Sequence, residues 1–119
     1  MVKALIDTNV LIDFLAGHEP ARQELHRHAR PAISIITWME VMVGIQPHEA
    51  SKVQQWLNRF ERIGVDDRVA SRAVEIRRER RIRLPDAIIW ASAQVHGMLL
   101  VSRNHRDFPR EAPDVRVPY

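Results

Sequence analysis

The sequence predicts an α/β fold, a parallel sheet covered by helices on both faces. Three observations predict it. Short apolar runs of strand character alternate along the chain with helical segments, in the order strand, helices, strand, helices, strand, helices, strand. Neither repeat nor low-complexity linker interrupts that order. And Asp7, Glu40, Asp86 and Asp107 each follow an apolar run or open a helix. In a parallel sheet those positions share one edge, where ligands of open α/β folds bind.

Each element has a local reason. Residues 2–6 are apolar up to Asp7 and read as a first strand. Residues 9–15 have helical spacing and stop at Gly17; Pro20 opens a polar helix to about His28. Residues 32–36 are apolar and β-branched, a buried strand. Residues 37–43 read as a helix closed by Gly44, with Thr37 and Glu40 forming a capping box. Val53, Trp56, Leu57 and Phe60 share one face of a helix over 49–60. Residues 63–65 suggest a brief edge strand. A helix over 68–80 turns Val69, Ala73 and Ile76 inward. Pro85, favourable at a first helical position, starts a helix to His96 that is closed by Gly97. Residues 98–102 and 115–117 complete the strands.

The 119 residues fit one domain, 1–119, with 45% apolar and 28% charged residues, ordinary for a soluble globular chain. The net charge is +3, and only Lys3 and Lys52 among the basic residues are lysine. An arginine excess suits phosphate and carboxylate partners. Without cysteine, disulfides, zinc–thiolate sites and thiol nucleophiles are excluded. The charged start is too short for a signal peptide, and no apolar run approaches the ~20 residues of a membrane helix. A cytoplasmic protein is expected.

Each acid also has a bland role. Asp7 can cap the helix that follows, Glu40 can close its capping box, and Asp86 can meet a helix dipole worth about 0.3–1 kcal/mol. Asp107 can belong to a polar loop. Their conjunction on one edge argues for more. Acids with no basic partner nearby repel one another, and a divalent cation removes that penalty. Magnesium and manganese are the oxygen-seeking ions that act on phosphodiesters. Asp13, on a mostly apolar helix, is a weaker candidate, and the other acids fit a solvated face. The histidines form no metal pattern, and Trp38, Trp56 and Trp90 read as core. The run from Arg77 to Arg83, with Arg80, Arg81 and Arg83 next to Asp86, reads equally as a solvated helix end or as a phosphate-gripping lip beside the acids.

Four segments together resemble the PIN-domain ribonucleases. Asp7-Thr8-Asn9-Val10-Leu11-Ile12-Asp13 is similar to the family's opening motif, and Thr37-Trp38-Met39-Glu40 to its second. Leu84-Pro85-Asp86-Ala87-Ile88-Ile89 resembles the third, and Ser102-Arg103-Asn104-His105-Arg106-Asp107-Phe108 the fourth. The ending Val115-Arg116-Val117-Pro118-Tyr119 is also typical. The nearest subgroup is the VapC-like toxins of bacterial toxin–antitoxin pairs. That resemblance implies a three-layer α/β/α sandwich with a short, mostly parallel central sheet. It implies an endoribonuclease dependent on Mg²⁺ or Mn²⁺, a homodimer, and an antitoxin that blocks the site. Asp7, Glu40, Asp86 and Asp107 would then be the metal-site acids, with Asn9 and Asn104 supporting them. The chain is short for the family in its middle helices. Two other functions compete: a non-catalytic module holding a basic peptide, and a phosphoacceptor receiver. The receiver would want paired acids after the first strand and a late lysine, and this chain has neither.

Overall fold

The computed structural model describes residues 2–119; Met1 lies outside the described residues. Its elements are β1 (Ala4–Ile6), α1 (Thr8–Leu15), α2 (Glu19–His26), β2 (Ala32–Ser34), α3 (Ile35–Val43), a 3₁₀ turn (Pro47–Glu49), α4 (Ala50–Leu57), β3 (Glu61–Ile63), α5 (Asp67–Arg80), α6 (Leu84–Val95), β4 (Leu99–Val101) and β5 (Val115–Arg116). The five strands pair in the order β3-β2-β1-β4-β5, all parallel. The sheet is therefore wholly parallel.

Alternation along each strand divides the core, because neighbouring side chains point to opposite faces. Leu5 and Leu100 pack with Val69, Ala73, Ile76, Ile89 and Trp90 on the α5–α6 side. Ala4, Ile6, Ile33 and Val101 pack with Val10, Leu11, Val41, Val53 and Leu57 on the side of α1, α3 and α4. This is the three-layer sandwich. Every β1 and β2 residue is buried, as a central parallel sheet requires.

Several expected boundaries move. The second strand ends at Ser34, whose side chain accepts the Ile36 N–H at 3.1 Å and starts α3 at once. Thr37 therefore lies inside a helix and caps nothing. The capping box is replaced by a serine cap three residues earlier. The edge strand lies at Glu61–Ile63, two residues upstream of its expected place, and Lys3 holds Glu61 across the sheet. Val2 stays outside the first strand and is exposed. Trp90 is buried as expected, but Trp38 and Trp56 are only half-buried. Phe14 stacks on Trp56 with centroids 4.9 Å apart.

The acids are not uniformly solvated either. Glu24 is buried on α2, where Arg116 of β5 donates to both its oxygens at 2.8 and 2.9 Å and His28 Nε2 lies 2.9 Å away. This pair fastens the short edge strand to the α1–α2 layer.

Candidate functional site

Strand register places the first acid. Ile6 on β1 pairs with Val101 on β4, so Asp7 and Ser102, the residues that follow, are neighbours at the carboxyl edge. Asp7 is the N-cap of α1 and is nearly buried. Its Oδ1 accepts from Thr8 N at 2.8 Å; its Oδ2 accepts from Ser102 Oγ at 2.6 Å and Asn9 Nδ2 at 3.1 Å. Ser102 Oγ also accepts from Asn104 N at 3.0 Å, and Asn9 Oδ1 accepts from Arg103 N at 3.2 Å. One hydroxyl and one amide thus tie the β1 end to the loop after β4.

Glu40 reaches the same place from α3. It is exposed, and Thr8 Oγ1 donates to its Oε1 at 2.6 Å. Thr8 Oγ1 also stands 3.0 Å from Thr37 Oγ1, so Thr37 supports the site from within the helix. Asp86 lies buried in the first turn of α6, with Arg83 Nε 3.3 Å from its Oδ2. The expectation that the acids have no basic partner is corrected here, because Arg83 pairs with Asp86. Asp107 lies farther out on the loop after β4, where Asn104 Nδ2 donates to its Oδ2 at 3.0 Å.

Asp7, Glu40 and Asp86 line one open cleft of about 410 Å³, with Asn9, Arg83 and Asn104 also on its wall. Asp107 is not on that wall but acts on it electrostatically. Burial pushes the Asp7 carboxyl up to about 6, with Asp86 and Glu40 adding to the rise; the bonds from Ser102 and Thr8 oppose it. Asp86 is also raised, first by burial and then by Asp107 and Glu40, against the opposing Arg83 charge. Asp7 and Asp86 therefore feel neighbouring charges of the same sign while themselves largely removed from water.

Among the described residues, no three acids or histidines stand close enough to hold an ion between them. The donor set still suits a hard cation. Three carboxylates outnumber the two guanidiniums, of Arg83 and Arg103, on the cleft wall, and magnesium uses one or two carboxylates while keeping its waters.

Asp13 does not join the cleft. Arg103 Nε and Nη2 donate to its two oxygens at 2.8 and 3.2 Å, and the Tyr119 hydroxyl donates to it at 2.6 Å. Within the arginine run, the Arg80 guanidinium lies 4.7 Å from the Trp90 ring centroid, and Arg81 is exposed. Sequence reasoning passed over Thr8, Thr37 and Ser102. Ser102 had a usable signal, since it closes an apolar strand as Asp7 does.

The family model of the PIN domain matches residues 4–112. The chain belongs to the PIN domain family. Comparison with curated proteins gives no match. Among solved structures, this PIN domain superposes on a chain of a toxin–antitoxin complex from Klebsiella pneumoniae with TM-score 0.93, at 44% identity and 98% coverage of both chains. A chain of DNA-bound VapBC from Salmonella typhimurium gives TM-score 0.80 at 26% identity, covering 98% of this chain and 96% of that one. A chain of FitAcB from Neisseria gonorrhoeae gives 0.80 at 22% identity over 97% of each, a likeness of fold. The α/β/α sandwich expected from the sequence is thus the fold of the family.

Proposed function

We propose that this PIN domain is an endoribonuclease that hydrolyses RNA phosphodiester bonds with Mg²⁺ or Mn²⁺, and that it is the toxin of a toxin–antitoxin pair. The observation that carries the reading is the buried Asp7, which shares one cleft with the carboxylates of Asp86 and Glu40. The 44% identity to a chain of a toxin–antitoxin complex supplies the context.

In this reading Asp7 and Asp86 would hold the ion, Glu40 and Asp107 would add negative charge beside it, and Asn9 and Asn104 keep the Asp7 and Asp107 carboxylates aimed. Such an ion, when bound, activates water and offsets charge at a phosphodiester. The rigid groups around Asp7 fix its carboxylate before the ion arrives, which lowers the ordering cost of binding. Arg81 and Arg83 contact RNA phosphates beside Asp86, positioning the strand without reading its sequence. Arg80, packed on Trp90, holds the helix end in place.

The antitoxin places a basic side chain in the same cleft, where a guanidinium fork can bridge two carboxylates. The contact of Arg83 with Asp86 supports this, since the cleft already accepts a guanidinium. The working unit is a homodimer in the cytoplasm, and residues 1–119 form its single nuclease domain. Among the described residues, no helix is long and apolar enough to cross a membrane.

Purified protein is expected to cut RNA with Mg²⁺ or Mn²⁺ and to stop in EDTA. Asp86→Asn should lower the rate on the order of 10²–10³-fold, the scale for removing one preorganised electrostatic group. Expression should slow growth, and co-expression of the adjacent small reading frame should restore it. Undiminished cleavage in EDTA, or by Asp86→Asn, would overturn the metal assignment. A protein that binds a basic peptide in the cleft and never cuts RNA would be a binding module instead.

A further inference from the structure

Arg83 is held in a way that leaves its head group movable. The α5 helix ends at Arg80, and Arg81 takes a left-handed conformation at φ 56° that redirects the chain. Ile82 is buried and anchors the turn, and Arg83 is the N-cap of α6. The backbone is thereby fixed on both sides. The Arg83 side chain is nevertheless 77% exposed, while that of Asp86 is 9% exposed. Their contact is a single N–H···O of 3.3 Å.

We infer that Arg83 is a built-in counter-ion: it occupies Asp86 until a divalent cation arrives, then turns to the RNA phosphate beside it. The inference rests on the metal-site reading above. It follows from the geometry of one carboxylate claimed by two cations. Asp86 is nearly buried in a wall it shares with other acids, so it needs a positive neighbour in either state. An exposed ion pair of this kind is worth about 0–1 kcal/mol, so a divalent ion held by two carboxylates displaces it. The released guanidinium stays tethered by its fixed backbone at the cleft wall. Its planar fork matches phosphate oxygens in a way that an ammonium does not. Metal loading and phosphate binding are then positively coupled through one side chain, and linkage makes the coupling reciprocal. The cleft holds RNA firmly only when its ion is present.

The test uses Arg83→Gln, with Arg81→Gln as control. The control removes the same charge two residues away, from a side chain that makes no contact with Asp86. Mn²⁺ alone is titrated into each protein by calorimetry. A fully 2′-O-methylated oligoribonucleotide, confirmed intact on a gel after each measurement, is then bound with and without Mn²⁺. Arg83→Gln is expected to bind Mn²⁺ up to about fivefold more tightly than wild type, the equivalent of an exposed ion pair. Arg81→Gln should change Mn²⁺ affinity less than about twofold, as expected for a screened charge without contact. Wild type should bind the oligonucleotide more tightly when Mn²⁺ is present, and Arg83→Gln should lose that gain. If wild type binds Mn²⁺ and Arg83→Gln matches it in both measurements, the counter-ion role is overturned and the metal site stands. If Arg81→Gln reproduces the Arg83→Gln change in Mn²⁺ affinity, general charge is responsible and the inference also fails. If wild type binds no Mn²⁺, the metal site falls and the inference with it.

Discussion

Asp7→Asn is expected to abolish RNA cleavage while leaving a metal-free protein at neutral pH more stable than its parent. The activity loss follows from the position of Asp7, the one acid fixed by Thr8, Asn9 and Ser102 at once. The stability gain follows from its ionisation. The folded carboxyl titrates at about 6, against 3.8 for an unperturbed one. The folded chain therefore keeps a proton that the unfolded chain has released. This stabilisation is complete below pH 3.8 and is lost as pH rises through about 6. Above that, a charged Asp7 costs about 3 kcal/mol at most, at 1.36 kcal/mol per unit. Asparagine cannot ionise, but its amide must replace one acceptor, so a net gain of about 1–2 kcal/mol is expected. Thermal unfolding of both proteins between pH 4 and 8 tests this. The two stability curves should separate as pH rises from about 4 to about 6 and keep a constant gap above that, and Mg²⁺ should raise only the wild-type curve. Parallel curves across that range would show that Asp7 carries no such burden.

Glu24→Ala should act in the opposite sense, with a loss of about 2–3 kcal/mol, somewhat below the cost of breaking a fully buried pair because Arg116 is partly exposed. Burial alone would raise the Glu24 carboxyl, but hydrogen bonds from Arg116 and His28 outweigh it and hold it below its usual value. A lowered folded value means that this stabilisation is present above the ordinary value of 4.5 and disappears as pH falls through the folded one. The variant should thus lose most at neutral pH and approach wild type in acid. Denaturant unfolding at two pH values measures it. A loss under 1 kcal/mol at pH 7 would mean that β5 is held by other contacts.

The acids of the cleft were legible in the sequence because each ends an apolar element or starts a helix, so topology alone brings them to one edge. Ser102 and Arg83 were harder. Ser102 becomes a neighbour of Asp7 only through the β1–β4 register. Arg83 meets Asp86 at i, i+3 because Arg83 is the N-cap of α6 and Asp86 lies in its first turn, which depends on where the helix starts. Glu24 looked solvated because its partner Arg116 lies 92 residues away, a separation no local pattern reports. The capping box failed for a local reason: Ser34 offered an earlier cap, and α3 took it. Three-residue strands are also too short for periodicity to fix their ends, which is why the edge strand was read two residues late.

Tyr119 gives the molecule a use beyond its chemistry. It is the chain's single tyrosine. Its hydroxyl bonds Asp13, and Asp13 grips Arg103 on the loop that carries Asn104 and Asp107. Burial, then the bond to Asp13 and its charge, pushes the phenol well above its ordinary range. Phenolate absorbance in the ultraviolet therefore reports on a single residue whose environment is set by the rim of the cleft. In alkaline titration, a loop that lets go of Asp13 would announce itself as a phenol returning toward its ordinary value of 10. Order at the rim of the cleft can be read with a spectrophotometer, without any label.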